Sequence, residues 1–356
     1  MSISEQEVQR VQTIRALAAM IVPLFVVVMF AGCIIGTYHK PHPNGIEIAV
    51  VGPEASTAQV RGALDQAGRG AFVISRASTV EDATDDVMDR QIDAAFVPSA
   101  DPAQPPTLYT AGAAGRLTAT ATQTLAHGVT AAGGQQLVVE DLRPLAPSDP
   151  FGLALFLFMI VLTVGSYLTA TLLYSIAPEL GPGRRYSIIT GMAMLIPTLA
   201  YVVGGWGYGA YDGSFGTICA FVGVGALYAL LVGLLARLFQ VLMGPRALFV
   251  SLALFVFLNI PSLGATYTDT MLPSFWRFLN HFWLGAETVN AERSILYFDG
   301  DSVGNDLARL LAWAVLVVVL LGAVALKLDR RLRHVTPAAA STEPGAAVRS
   351  AARVET

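Results

Sequence analysis

The chain has 356 residues, of which 54% are hydrophobic and only 13% charged, with a formal net charge of −4. Soluble domains carry about 25% charged residues, so a wholly soluble chain is excluded, and the negative balance argues against nucleic acid as a partner. The only cysteines, Cys33 and Cys219, lie in apolar runs, which leaves no disulfide framework and no cysteine metal cluster.

Residues 1–13 are polar and place Val8, Val11 and Ile14 at helical spacing. A short amphipathic helix along a membrane surface and a frayed cytoplasmic segment both fit that pattern. Residues 14–36 are apolar and long enough to cross about 30 Å of hydrocarbon at about 1.5 Å per residue. The run is too long for a cleaved leader. It is expected to be a retained first span, kinked at Pro23.

Residues 37–150 have ordinary charge content and alternate between two periods. Ile46–Val51, Ala71–Ser75, Ala94–Val97, Thr107–Thr110 and Leu137–Asp141 read as strands. Three helices lie between them. Val60, Ala63, Leu64 and Ala67 mark the first, Val80–Arg90 the second with Ser78 or Thr79 as its cap, and Leu117, Ala121, Leu125 and Val129 the third. The order β-α-β-α-β-β-α-β predicts a small α/β domain with one mixed sheet.

Residues 151–263 hold four more spans, at 151–176, 186–206, 216–236 and 246–263. Joints rich in Pro and Gly separate them, and Asn259 and Pro261 interrupt the last. Residues 264–306 form an irregular external loop. Within it, the aromatic stretch 272–284 is too short to cross and predicts a re-entrant or interfacial segment. Residues 307–327 are the sixth span, and 328–356 a cytoplasmic, disordered tail.

Lys and Arg set the orientation. Arg184 and Arg185, Arg237 and Arg246, and the basic start of the tail belong in the cytoplasm, whereas joint 207–215 has no basic residue and lies outside. The expected fold class is an α-helical integral membrane protein with six transmembrane helices. An extracytoplasmic α/β domain is inserted between helices one and two, and both termini are cytoplasmic. All but two of the 22 basic residues are arginine, a bias of GC-rich bacterial genomes, which points to a bacterial plasma (inner) membrane.

The chain carries no phosphate-binding loop around either lysine, no H-E-x-x-H and no G-x-S-x-G elbow. No catalytic site, cofactor or metal is expected; His39 and His42 alone do not fill a metal site. The spans hold no Asp, Glu, Lys or His away from their ends, which counts against a self-powered, ion-driven transporter. Ser166, Tyr167, Thr171 and Tyr174 form a hydroxyl stripe on the second span. They either line a substrate path or let helices approach closely. Asn259, beside the break at Pro261, is the stronger candidate for a cavity wall. Arg277, Glu287 and Arg293 are candidates for an external gate held by ion pairs, with Glu292 nearby; the alternative is an anchor for the re-entrant turn.

Ile46–Pro53 (IEIAVVGP), Ser78–Ala83 (STVEDA), Arg90–Pro98 (RQIDAAFVP), Leu272–Arg277 (LPSFWR) and Arg293–Phe298 (RSILYF) complete the pattern. With the layout of one span, an external domain and five further spans, they resemble the type-2 permeases of ABC transporters. The likeness is greatest to the actinobacterial and phage-infection-protein branch. It covers most of 14–327. It implies a homodimer in the lipid bilayer, a cargo path between the halves, and a separate ABC ATPase docking on the cytoplasmic joints, with Glu179, Arg184 and Arg185 as the coupling residues. The expected function is a permease subunit exporting an amphipathic or lipid-like cargo. The alternative is a non-transporting envelope protein whose external domain is a receptor or scaffold. The joint 177–185 is short and rich in Pro and Gly, which leaves little room for a coupling helix.

Overall fold

The computed structural model describes residues 3–39, 41–99, 101 and 104–335; most of the tail expected to be disordered, 336–356, lies outside the described residues. Two compact units are distinguished, Met1–Leu311 and Ala312–Thr356.

Among the described residues, five helical runs are long and apolar enough to cross a membrane: Glu7–Tyr38, Ala154–Ile176, Pro182–Gly207, Phe215–Ser262 and Val303–Leu328. The chain is thus a mainly helical membrane protein, with a small sheet inserted after the first run. No boundary falls at residue 13. Helix α1 (Ile3–Ala19) runs through it, and the break comes at Met20, before α2 (Ile21–Phe30). Pro23 lies three residues into α2, where it denies the carbonyl of Ala19 its helical bond. A π-helical turn at Ala31–Ile35 carries α2 on to Tyr38.

The inserted domain holds β1 (Ile46–Val51), α3 (Glu54–Gly68), β2 (Phe72–Ala77), α4 (Val80–Met88), β3 (Ala94–Val97), β4 (Thr107–Thr110), α5 (Arg116–Ala132) and β5 (Val138–Asp141). Its sheet order is β2-β1-β3-β4-β5. Only the β3–β4 pair is antiparallel; the other neighbours are parallel and need the crossover helices. Thr79 caps α4, accepting a bond from the Asp82 amide at 3.1 Å. Glu81 and Asp82 complement the positive end of that helix.

The domain is not confined to 37–150. On one face of the sheet, Ile46, Ile48, Val50 and Leu108 pack with Tyr267, Met271 and Leu272. On the other, Val51, Ala83 and Ala95 pack with Phe298. The segment expected to be an external loop therefore completes both cores. Gly115 is the contact point: a Cβ there would lie 2.8 Å from the Thr268 amide nitrogen. Thr118 Oγ1 accepts a bond from that same amide at 3.2 Å.

The helices that follow are α6 (Ala154–Ile176), α7 (Pro182–Tyr201) and α8 (Phe215–Met243), packed on one another. The 48-residue run Phe215–Ser262 would be about 72 Å long if straight, far more than one crossing needs. It turns at Gly244, whose φ of 60° suits glycine, and Pro245 follows. Helix α9 (Ala247–Leu252) then folds back, continuing through a π-helical turn at Ala253–Leu258 to Asn259–Ser262. The two arms form a hairpin, with the Phe239 and Phe255 rings 6.3 Å apart.

The aromatic stretch forms one short helix and leads into a second. In α10 (Ser274–Asn280), Phe275 and Phe278 stay exposed, as does Phe282 just after it; α11 (Leu284–Tyr297) packs between α6, α8 and the end of the α9 arm. Helix α12 (Val303–Val335) ends the described chain.

Candidate functional site

The site is built where α11 enters the helix bundle. Asn259 is fully buried and donates from Nδ2 to the Tyr228 hydroxyl at 2.8 Å. That hydroxyl lies 2.6 Å from Thr163 Oγ1, which donates to the Met159 carbonyl at 2.7 Å. Since a hydroxyl both donates and accepts, one chain of hydrogen bonds joins α9, α8 and α6. Asn259 Oδ1 has no hydrogen-bond partner and packs against Gly285 instead. A Cβ at Gly285 would sit 2.0 Å from that oxygen, so only glycine lets α11 approach.

Thr163 stands one helical turn before Ser166 and Tyr167 on the same face of α6. The hydroxyl stripe and Asn259, separate candidates in the sequence, therefore belong to one seam. Ser166 and Tyr167 are buried, whereas Thr171 and Tyr174 are half-buried nearer the other end. Tyr228 and Thr163 were missed because a lone Tyr and Thr in apolar runs look like packing residues.

The reversal after the α9 arm leaves carbonyls that need donors. Asn280 Nδ2 donates to the Ser262 carbonyl at 2.7 Å. Arg293 Nη2 donates to the carbonyls of Gly264 and Ala265, at 2.7 and 3.0 Å. Arg293 is thus a buried clip on the backbone. The three gate candidates are not brought together. Arg277 donates to the carbonyls of Asp269 and Asn44, and Glu287 accepts from Arg309 at 3.1 Å. The anchoring alternative describes Arg277 and Arg293 better.

Glu292 is different. It is fully buried, neither carboxylate oxygen has a hydrogen-bond partner among the described residues, and its Oε1 occupies the notch left by Gly225 on α8. Leu162 of α6 and Pro197 of α7 line the same notch. Burial pushes its carboxyl well above the usual carboxylate range. The sequence reading found no carboxylate inside the spans, and none of the spans supplies one here: α11, which is not a span, brings it in.

Arg90 ties the α/β domain to this region. Its guanidinium donates to Ser294 Oγ at 2.6 Å, lies 4.0 Å from Asp306 Oδ2, and sits 5.2 Å over the Phe298 ring. A polar cavity of about 380 Å³ opens beside it, lined by Arg90, Asp93, Asp269, Asn290, Arg293 and Asp306 among others. Burial raises the Asp93 carboxyl to about 6, although Asp93 accepts a bond from the Glu47 amide at 3.0 Å.

At the opposite end of the bundle, Glu179 and Arg184 are exposed. Arg185 is buried, and its Nη2 donates to the carbonyls of Ala177 and Pro178 at 3.0 and 2.8 Å. It pins the joint and is not free to meet a partner. The joint is only 177–181, with no helix in it.

Comparison with family models, characterised proteins and solved structures finds no match.

Proposed function

We infer that the chain is a permease subunit of an ABC-type exporter, moving an amphipathic or lipid-like cargo outward with energy from a separate ATPase. The observation that carries this is α11, which brings the buried Glu287, Glu292 and Arg293 into an otherwise apolar bundle, beside the Asn259–Tyr228–Thr163 seam. In this reading Phe215–Ser262 crosses twice, giving six spans with both termini inside a bacterial plasma membrane. Helices α10 and α11 are a re-entrant hairpin entered from the outside, with the α10 aromatics at the headgroup level. Buried backbone breaks and polar side chains at bilayer depth are tolerated where they line a pathway. The exposed apolar faces leave room for a homodimer.

One observation favours a second reading, a non-transporting envelope scaffold: the joint 177–181 offers no helix on which an ATPase could push. Both readings are tested by affinity purification of the tagged chain in mild detergent from its host, with ATPase activity assayed on the eluate. The exporter reading expects a co-purifying nucleotide-binding subunit that is lost in Arg184→Glu and in Glu179→Arg. Arg185 is left alone because it holds the joint. An eluate without ATPase, carrying envelope proteins bound through the α/β domain, sinks the exporter and favours the scaffold.

A further inference from the structure

Glu292 is placed where an ionised carboxylate cannot be satisfied. Gly225 lies ten residues into α8, so the notch is about 15 Å along that helix from its start. Three helices close over the carboxyl, and neither oxygen receives a hydrogen bond.

The charged and titratable groups of every packed element leave it uncompensated. On α11 itself, Glu287 faces Arg309 of α12, and Arg293 faces the carbonyls of Gly264 and Ala265. Helix α6 offers Leu162 at the notch; its only titratable side chains are Tyr167 and Tyr174. Helix α7 offers Pro197 and, a turn further on, Tyr201, with Arg184, Arg185 and Tyr186 at its far end. On α8 the neighbour is Tyr228, whose hydroxyl is engaged by Thr163 and Asn259, while Arg237 lies towards the other end. The α9 arm brings Asn259 and no charge, and on α10 Arg277 is held by Asp269 and Asn44. Tyr211, between α7 and α8, is near enough to feel Glu292, but its hydroxyl donates to the Ala154 carbonyl at 2.8 Å. On α12, Asp306 faces Arg90. Among the described residues, no cation pairs with the carboxyl.

We propose that Glu292 is a proton-binding site that latches α11 into the helix bundle. With its proton the carboxyl is neutral and fits the apolar notch. When α11 shifts and water enters, the carboxyl O–H bond breaks. Its electron pair stays on the carboxylate and the proton passes to water. The anion is then too costly to return to the notch, so α11 stays withdrawn until a proton is regained. Acid closes the latch and rising pH opens it. The use of this latch in a transport cycle rests on the exporter reading; the proton site itself does not.

The test uses the purified full chain, with infrared spectroscopy and hydrogen–deuterium exchange of 284–297 between pH 5 and 8. At pH 7 the wild type should show the C=O band of a protonated carboxylic acid, and Glu292→Gln should lose it. The opening equilibrium of α11 should rise about tenfold per pH unit above the ordinary glutamate value until the packed carboxyl itself ionises. In Glu292→Gln it should stay level once the chemical exchange rate is divided out. Glu292→Leu, neutral and apolar, serves in the same way where the Gln variant does not fold. A wild type without a Glu292-dependent band at pH 7 overturns the proposal, as does α11 opening with the same pH course in wild type and variant. Failure to find an ATPase partner would leave both readouts unchanged, so the two ideas fail separately.

Discussion

At the scale of single residues, close approach and buried charge hold α11 in the bundle. Gly285→Ala places a methyl group against Asn259 Oδ1, Asn259 Cγ and Leu263 Cδ2, at 2.0, 2.8 and 2.8 Å. Neighbours fixed in a packed core must then move, at a cost of about 1–3 kcal/mol or more. The expected result is a clear fall in the thermal unfolding midpoint, while Gly62→Ala, exposed inside α3 with open space around it, raises the midpoint slightly because alanine favours a helix. Asp93 gives a pH-dependent prediction. Its folded value of about 6 lies above the ordinary one, so the folded chain binds the extra proton between about pH 4 and 6. Stability therefore falls as pH rises through that window, by at most roughly 3 kcal/mol, and levels off above it. Asp93→Asn should raise the midpoint at pH 7 and lose that advantage at about pH 4, as read by unfolding curves at both values. Legibility was uneven at this scale. The Asn259–Pro261 break could be read because a polar amide beside a helix breaker is conspicuous. Glu292 could not, because its local sequence, charged residues in an amphipathic stretch, is that of a solvated helix. Only tertiary packing takes it out of water.

At the scale of elements, the α/β order was legible because each strand and helix carries its own period and punctuation. The α10–α11 region was legible only as something too short to cross. Its partners are far away in sequence: Tyr267, Met271 and Leu272 finish a core begun at Ile46, and no local pattern announces that. The same holds for Arg90, read only as the end of the helix Val80–Arg90 and the start of the motif Arg90–Pro98, which the fold turns into a link between the α/β domain and α11. Removing it deletes the bonds to Ser294 Oγ and the Asn290 carbonyl and the ion pair with Asp306. Loss of a bond to a charged group costs about 1.5–3 kcal/mol. Arg90→Ala is therefore expected to speed amide exchange in the C-terminal half of α11, with α3 and α6 unchanged. Equal protection of α11 in wild type and variant would show that Arg90 is not the link. The joint between α6 and α7 teaches the opposite lesson. Arg184 and Arg185 look alike in sequence, yet one is exposed and the other spends its guanidinium on two backbone carbonyls.

At the scale of the whole molecule, the central claim is geometric. In the permease reading, the α/β domain and the α10–α11 hairpin lie on one side of the membrane, and the joint 177–181 lies on the other. Charge bias and the alternation of apolar runs are what predict this arrangement from the sequence. The 48-residue run turns back on itself at Gly244, and the permease reading counts it as two crossings. The most direct measurement is labelling of single cysteines by a membrane-impermeant thiol reagent on intact cells, in a chain with Cys33→Ser and Cys219→Ser. Glu81→Cys and Phe278→Cys, both at exposed positions, should react without permeabilisation, and Arg184→Cys, also exposed, only after it. Reaction of Arg184→Cys on intact cells alongside Glu81→Cys would place the joint and the α/β domain on the same side. That would contradict the crossing pattern on which the permease reading and the depth of Glu292 both depend.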